Sequence, residues 1–339
     1  MKVNSLWSGI LLASPHLLAV VASLFPSAAH AQLVQQYFPS DIPGYAPDFS
    51  ASVVQREIES SRSQGVEVDS FVIRPSLTEA FGYNSNTLGI PNSGSTELNN
   101  VASVRVNSDW TRNAVGAMVS VDDHRYLDIP VASYTNWSAS IGGSLRLGAD
   151  VATLAYSHFS LNLAATDLGV FGVVDPVPYS VNDVRIGYSA LRGRFSTSPS
   201  FEFEDFLFGA PSGANTISYK SLSHSNEIGT LTTRYELSTG NAAIMILRGI
   251  GAQFNTVRNN NYTDLAGFAG LDFRSDALIE YRLLLGGETR HFLDASSTSV
   301  TSPTAEVDAI WTPRRTDTVT ATFGRRLDDP ETPFARNQT

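Results

Sequence analysis

The sequence predicts an all-β protein, and within that class a transmembrane barrel of antiparallel, up-and-down strands. Apolar and polar residues alternate along many segments, which is the two-residue period of a strand with one apolar and one polar face. Several segments match the roughly 9 to 11 residues that a tilted strand needs to cross a bilayer. The connections between them alternate strictly between short and long. This order is typical of bacterial outer-membrane barrels, and a soluble β-sandwich has no reason to keep it.

The beginning of the chain predicts a signal peptide. Lys2 is the only charged residue among residues 1–31, an apolar run covers 17–22, and Ala29-His30-Ala31 fits the small-residue cleavage pattern. We expect cleavage before Gln32, with an uncleaved membrane anchor as the alternative. Loss of Lys2 leaves the mature chain one unit more negative than the formal charge of -10 of the full sequence.

The composition excludes several classes of function. Beyond the signal peptide, no stretch approaches the ~18 uninterrupted apolar residues of a spanning helix, so a mature chain that enters a membrane must do so as a closed barrel. An acidic protein is a poor partner for nucleic acid. The chain has no Cys, which excludes disulfides, thiolate metal sites and haem attachment through Cys. We expect no cofactor and no metal.

Residues 32–69 show no sustained period, and Pro39, Pro43 and Pro47 interrupt them. We predict a periplasmic lead-in segment here, with a disordered tail as an equal alternative. The predicted outer-membrane barrel then covers residues 70–339.

The clearest strand pair is a hairpin at 133–163. In its first arm Trp137, Ile141 and Leu145 alternate with polar residues, and a turn at Ala149-Asp150 reverses the chain. The second arm has an apolar and a polar face, which are Val151, Ala155, Phe159, Leu161 and Leu163 against Tyr156, His158, Ser160 and Asn162. We expect the apolar faces to contact lipid and the polar faces to line the lumen.

The same alternation predicts about thirteen strands in all. Besides the two arms of the hairpin they lie at 71–81, 102–110, 115–121, 184–190, 201–207, 231–237, 244–250, 265–273, 279–285, 305–311 and 319–323. Bacterial single-chain barrels have an even strand count, and the chain stops at 337–339 in what reads as a loop. We therefore expect part of a larger even-numbered barrel, from a truncated or frameshifted reading frame.

Charged residues recur on the polar strand faces, and we take them as candidate pore-lining residues. They are Arg74, Arg105, Arg146, Arg185, Arg234, Arg282, Asp183, Glu202, Glu204, Glu236, Glu280, Glu306 and Asp308, and Asp109, Asp122 and Glu288 share the same faces. Opposed charges inside a pore create a transverse field that selects ions or sugars. The alternative is that these residues form ion-pair networks that stiffen or fill the barrel.

Signals for catalysis are weaker. Glu202 and Glu204 share a face with Cα atoms roughly 7 Å apart, near the carboxylate separation of some glycosidases, but any polar strand face produces such pairs. Asp122-Asp123-His124 offers acid–base groups, although Asp122 and Asp123 point to opposite faces. The motifs of common hydrolases, phosphate loops and calcium loops are missing from the sequence. We predict that the protein is not an enzyme, with an outer-membrane lipid or glycan hydrolase as the weakest alternative.

Short motifs at both ends of the predicted barrel resemble one family. The opening motifs are Val54, Arg56, Gly65, Ser70-Phe71-Val72-Ile73-Arg74-Pro75-Ser76-Leu77 and Gly82-Tyr83-Asn84-Ser85-Asn86, and the later ones are Trp311-Thr312-Pro313, Arg325-Arg326 and Pro330-Glu331-Thr332. They resemble the outer-membrane β-barrel porins of Gram-negative bacteria that are often associated with exopolysaccharide export. The resemblance implies an outer-membrane, channel-like barrel.

The sequence thus predicts a porin-like channel for the passage or export of saccharides or polysaccharide. The alternative is a plugged structural or adhesive barrel that acts through surface loops such as 84–100 and 167–178. The expected partners are outer-membrane lipid, exopolysaccharide or small solutes, and the barrel assembly machinery. Nucleic acid is not among them.

Overall fold

A computed structural model of the chain describes residues 38–39, 42–45, 65–164, 175–210, 219–275, 279–294, 298–314, 317–325 and 327. The predicted signal peptide, most of the loop at 167–178 and the end of the chain lie outside these residues. The strands are β1 Val66–Val68, β2 Phe71–Asn84, β3 Ser95–Ser108, β4 Ala114–Tyr126, β5 Tyr134–Leu147, β6 Asp150–Leu163, β7 Val177–Arg192, β8 Phe195–Phe208, β9 His224–Ser238, β10 Asn241–Phe254, β11 Tyr262–Ser275, β12 Ile279–Phe292, β13 Val300–Arg314 and β14 Asp317–Arg325.

All fourteen strands form one antiparallel sheet in which the spatial order equals the sequence order. The prediction of an all-β, up-and-down meander is confirmed, and the thirteen expected strands correspond to β2–β14. β1 was not predicted, because three residues are too few to show a period. Within the described residues the sheet stays open. Its two edge strands are β1, which pairs with β2 alone over three residues, and β14, which pairs with β13 alone.

The connections keep the short–long order that the sequence predicts. Gly148, Gly193 and Gly240 each lie in a two-residue connection and have positive φ angles of 71°, 63° and 82°. Tight hairpin turns need this left-handed backbone, which glycine adopts without a steric penalty. The turn between β5 and β6 was predicted one residue too late, because Gly148 and not Asp150 supplies the left-handed position.

Where the structure describes the long connections, they contain three short 3₁₀ helices, at Pro130–Ala132, Tyr219–Leu222 and Arg258–Asn260. Among the described residues, no helix has the length and apolar character that would let it span a membrane.

The two faces of the sheet differ in character. The outer face exposes large apolar side chains along its strands: Leu77, Val104, Val119, Ile141, Leu154, Ile186, Phe201, Leu237, Leu247, Leu265, Leu285, Trp311 and Phe323. We call the opposite face, which carries the fully buried Asp183, the inner face. Residues paired in register share a face, so one inner row can be followed from strand to strand. This row runs Arg74, Arg105, Met118, Ser140, Ser157, Asp183, Glu204, Asn226, Ala252, Tyr262 and Phe292.

Two strands turn an apolar face inward, contrary to the prediction. In β6 Ala155, Phe159 and Leu161 are buried on the inner face, whereas Leu154 and Tyr156 are exposed on the outer face. In β10 Ile244 is buried inside, and Leu247 is exposed outside. The period of two residues shows only that two faces exist. Which face points inward is decided by what the interior holds, and next to β6 it holds other apolar groups.

Candidate functional site

A charged cluster occupies the inner face of β7 and β8, and we call Asp183, Arg185, Glu202 and Glu204 the Arg185 cluster. The register sets Asp183 opposite Glu204 and Arg185 opposite Glu202. Arg185 Nη2 lies 2.5 Å from Glu202 Oε1, and Arg185 Nε donates to Asp183 Oδ1 at 3.2 Å. Asn226 Nδ2 donates to Glu204 Oε2 at 3.3 Å. The neighbouring strands therefore bring three carboxylates together, and Asp183 and Glu202 contact one guanidinium.

The three carboxylates are close enough to share a cation. Ligand oxygens of Asp183, Glu202 and Glu204 all lie within 4.8 Å of one another, which fits the oxygen ligands of a hard metal ion. Like charges at this spacing repel, and burial removes the water that would screen them. Arg185 supplies positive charge to the group, so the protein meets this cost with its own cation.

Part of the predicted lead-in lies against the inner face, and we call Phe38, Pro39 and Ile42–Tyr45 the inner segment. Arg185 Cζ is 4.0 Å from the centroid of the Phe38 ring and 4.8 Å from that of the Tyr45 ring. Tyr45 Oη donates a hydrogen bond of 2.9 Å to Asp183 Oδ1. Burial raises the pKa of the Tyr45 phenol, and the negative charge of Asp183 raises it further, so the phenol keeps the proton that it donates.

An apolar cluster lies at the end of the sheet where the long connections are. It contains Phe159, Leu161, Leu163, Val177, Tyr179, Val181, Tyr219 and Leu222, and we call it the mouth cluster. Tyr219 and Leu222 come from the connection between β8 and β9, which bends inward to reach the strands. Phe38 of the inner segment packs edge-on against Phe159, with ring centroids 5.0 Å apart. The interior next to β6 is therefore filled with apolar side chains, which explains why that strand turns its apolar face inward.

A second ionic network lies on the inner face of β10–β12. Arg248 Nη2 is 3.3 Å from Glu288 Oε1, and Arg290 Nη2 is 3.1 Å from Asp264 Oδ2. The Arg290 guanidinium also lies 3.9 Å above the Tyr262 ring. The backbone N–H of Leu327, beyond β14, donates to Glu288 Oε2 at 2.8 Å.

A third network lies nearer the short turns. Arg234 pairs with Asp272, and Arg282 Nη2 is 3.9 Å from the same carboxylate. Arg274 Nη2 is 3.2 Å from Glu280 Oε1. Opposed charges thus face each other across neighbouring strands at several levels of the inner face.

All thirteen candidate pore-lining residues occupy inner-face positions. The structure brings Asp183, Arg185, Glu202 and Glu204 together in the Arg185 cluster. It places Arg234, Arg282 and Glu280 in the third network, with Asp308 opposite Arg282 and Glu306 opposite Leu284. Arg74 and Arg105 are cross-strand neighbours, and Arg146 and Glu236 are exposed near the short turns. Whether this face lines a conducting path stays a prediction.

The triplet Asp122-Asp123-His124 in β4 divides between the two faces of the sheet, because successive strand residues point to opposite faces. Asp122 Oδ1 lies 3.0 Å from His124 Nε2 on the inner face, and Glu97 Oε1 lies 3.2 Å from His124 Nδ1. Asp123 instead bonds Arg125 on the outer face at 2.5 Å.

Sequence reasoning missed several contributors to these networks. Arg248, Asp264, Asp272 and Arg290 have the right period, and Arg248 and Asp272 stand between apolar or glycine neighbours that hide a polar face. The inner segment was missed because prolines mask it. Its signal was the large side chains of Phe38, Ile42 and Tyr45 between the prolines.

Comparison with known proteins identifies a family that matches this chain. A family model described as "Putative beta-barrel porin 2" matches residues 61–334, a range that includes β1 to β14 and begins after the inner segment. A search of curated proteins gives no match.

Proposed function

The chain belongs to the family described as "Putative beta-barrel porin 2", whose members are outer-membrane proteins, and on that premise we propose that it forms a channel selective for small polar solutes, including saccharides. The observation that supports the proposal is the inner face, where Arg side chains meet Asp and Glu side chains of the next strand or of the strand after it. Fixed opposed charges orient dipolar solutes and discriminate between ions of opposite sign. Hydroxyl-rich solutes hydrogen-bond to the same groups.

The proposal gives Glu202 and Glu204 no catalytic role. A general acid and base need carboxylates that are free to exchange protons with a substrate. Glu202 is paired with Arg185, and Glu204 accepts a hydrogen bond from Asn226. Both therefore act as structural counter-charges of the inner face.

Single-channel recording tests the proposal. The purified protein is inserted into a planar bilayer after its strand content and heat-modifiable gel migration have confirmed folding. We expect discrete conductance steps, and we expect Arg234→Gln to shift ion selectivity toward cations because it removes a positive charge from the inner face. Added neutral oligosaccharide should produce transient blockades of the current.

The matched control is Arg125→Gln, which removes the same charge from the outer face, where Arg125 pairs with Asp123. Its selectivity should equal that of the unmodified protein. A folded sample without conductance would refute the channel, and an Arg234→Gln channel with unchanged selectivity would show that Arg234 lies off the solute path.

One observation favours a second function, that of a plugged barrel acting through its surface loops. The inner segment and the mouth cluster both occupy the inner side of β6 and β7. Under this alternative the folded protein is silent in the bilayer, and shortening the connection at 85–94 removes binding of whole cells to their surface ligand. Conductance steps in the unmodified protein would argue against it.

A further inference from the structure

We propose that the inner segment is the constriction of the channel, and that its contacts with Arg185 and Asp183 hold it in the path of the solute. The inference rests on the proposed channel function and adds what limits passage. It assigns the limiting element to residues before the sheet, whereas the charged strand residues form the wall behind it.

The wall is shaped to receive this segment. In the register, Gly116, Gly142, Ala155 and Arg185 lie in one inner row across β4–β7. The first three positions carry the smallest side chains, and the backbone of Ile42–Gly44 lies over them. A Cβ atom on Gly142 would collide with the carbonyl oxygen of Pro43, and one on Gly116 would lie 3.0 Å from Ile42 Cδ1. Glycine inside a strand commonly marks such a close approach of another backbone.

The segment is shaped to match the wall. Gly44 has a φ angle of +95°, which favours glycine, and a Cβ atom there would lie 2.7 Å from Ala155 Cβ. Ile42 is fully buried and Tyr45 is 5% exposed. Glycines on both partners therefore let the two backbones approach, and the apolar side chain of Ile42 is buried where they meet.

Arg185 and Asp183 fix the aromatic residues of the segment. The guanidinium contacts the Phe38 and Tyr45 rings. The ring centroids are 5.1 Å apart, and the ring planes are nearly parallel. The Tyr45 hydroxyl bonds Asp183. One cation and one carboxylate of the wall thus hold two rings, which are bulky groups that a solute must pass.

Phe38 connects this contact to the end of the sheet with the long connections. It packs on Phe159 and so joins the mouth cluster, to which the connection between β8 and β9 contributes Tyr219 and Leu222. The obstruction therefore extends from the level of Ala155 to the long-loop end of β6. A solute that follows this side of the inner face meets the segment before it meets the charged residues nearer the short turns.

The first experiment measures whether the segment occupies this place, and it needs no conductance. The chain has no Cys, so a single introduced thiol reports one position. In the folded full-length protein we expect Ile42→Cys to react with a polar maleimide at least tenfold more slowly than Leu127→Cys, which lies on the exposed connection after β4. Adding Tyr45→Ala should bring the rate at position 42 close to that at position 127. Equal rates at positions 42 and 127 without Tyr45→Ala would overturn the proposal.

The second experiment asks whether the segment limits the current. Tyr45→Ala removes a ring and a hydrogen bond from the segment and leaves the sequence of every strand unchanged, and heat-modifiable gel migration checks that the variant is folded. We expect its single-channel conductance to rise at least twofold. The matched control Tyr235→Ala removes an exposed ring from the outer face and should leave conductance unchanged.

A substitution in the strand behind the segment provides an independent test. Arg185→Gln should also raise conductance and labelling at position 42, while Arg234→Gln, which removes the same charge without touching the segment, should leave labelling unchanged. Faster labelling without a rise in conductance would overturn the constriction. Silence in all variants, with slow labelling at position 42, would instead refute the channel function itself.

Discussion

At the scale of single residues, backbone conformation and burial decide which positions tolerate change. Gly148 and Gly229 both have open space where a Cβ atom would stand, but only Gly148 has a positive φ. We expect Gly148→Ala to destabilise the protein by about 1 kcal/mol, since an L-residue pays for the left-handed backbone. Gly229→Ala should be neutral or slightly stabilising because it only restricts the unfolded chain. Urea unfolding of both variants in lipid vesicles measures the difference, and equal midpoints would contradict it.

Burial makes a similar distinction between ion pairs. Asp264 and Arg290 are 4% and 1% exposed, whereas the pair of Asp123 with Arg125 lies on the open outer face. We expect Asp264→Ala to cost about 3 kcal/mol, because it leaves a buried guanidinium without its carboxylate. Asp123→Ala should cost less than about 1 kcal/mol. The same unfolding assay compares the two, and a larger loss for Asp123→Ala would refute the assignment of the inner face at β11 and β12.

At the scale of elements, β10 gives the sharpest test of which face meets lipid. Leu247 lies at the middle of the strand on the outer face, and its neighbour Ile246 lies on the inner face. A charge on the lipid side at the bilayer midplane costs about 2–4 kcal/mol. We therefore expect Leu247→Arg to impair folding into vesicles by this amount and Ile246→Arg to impair it less. The reverse order would show that the isoleucines of β10, and not Leu247, face lipid.

The sequence predicted the strands well and their orientation less well. Alternation and the order of the connections predicted β2–β14 because both signals are local. In β10 Ile244 and Ile246 oppose Met245 and Leu247, so apolar side chains stand on both faces and Arg248 is the one local sign of the inner face between Ile244 and Ile250. In β6 the inward face follows from the mouth cluster, whose members come from distant parts of the chain. The inner segment could not be predicted for the same reason, because its contacts join residues such as Tyr45 and Asp183 that are 138 positions apart.

At the scale of the whole molecule, family and sequence agree on secretion to the outer membrane. We propose that residues 1–31 are removed on the way, as the pattern around Ala29 and Ala31 predicts. Protein purified from outer membranes should have Gln32 as its first residue by N-terminal sequencing or intact mass. Replacing Ala29 and Ala31 by bulky residues should leave the longer precursor in the inner membrane. Recovery of an intact residue 1 in mature outer-membrane protein would support the uncleaved anchor.

Every pairing in the sheet joins strands that are adjacent in sequence, which affects both how the chain folds and how its gene can evolve. Each pairing closes only the connection between two strands that follow one another in the chain, so little loop entropy opposes each step, and such local topologies fold quickly. Each hairpin also specifies its own register, independently of strands farther away. A gene that gains or loses one hairpin therefore changes the number of strands in the sheet while the pairings inside every other hairpin stay the same, which gives this architecture a simple route to wider or narrower sheets by duplication.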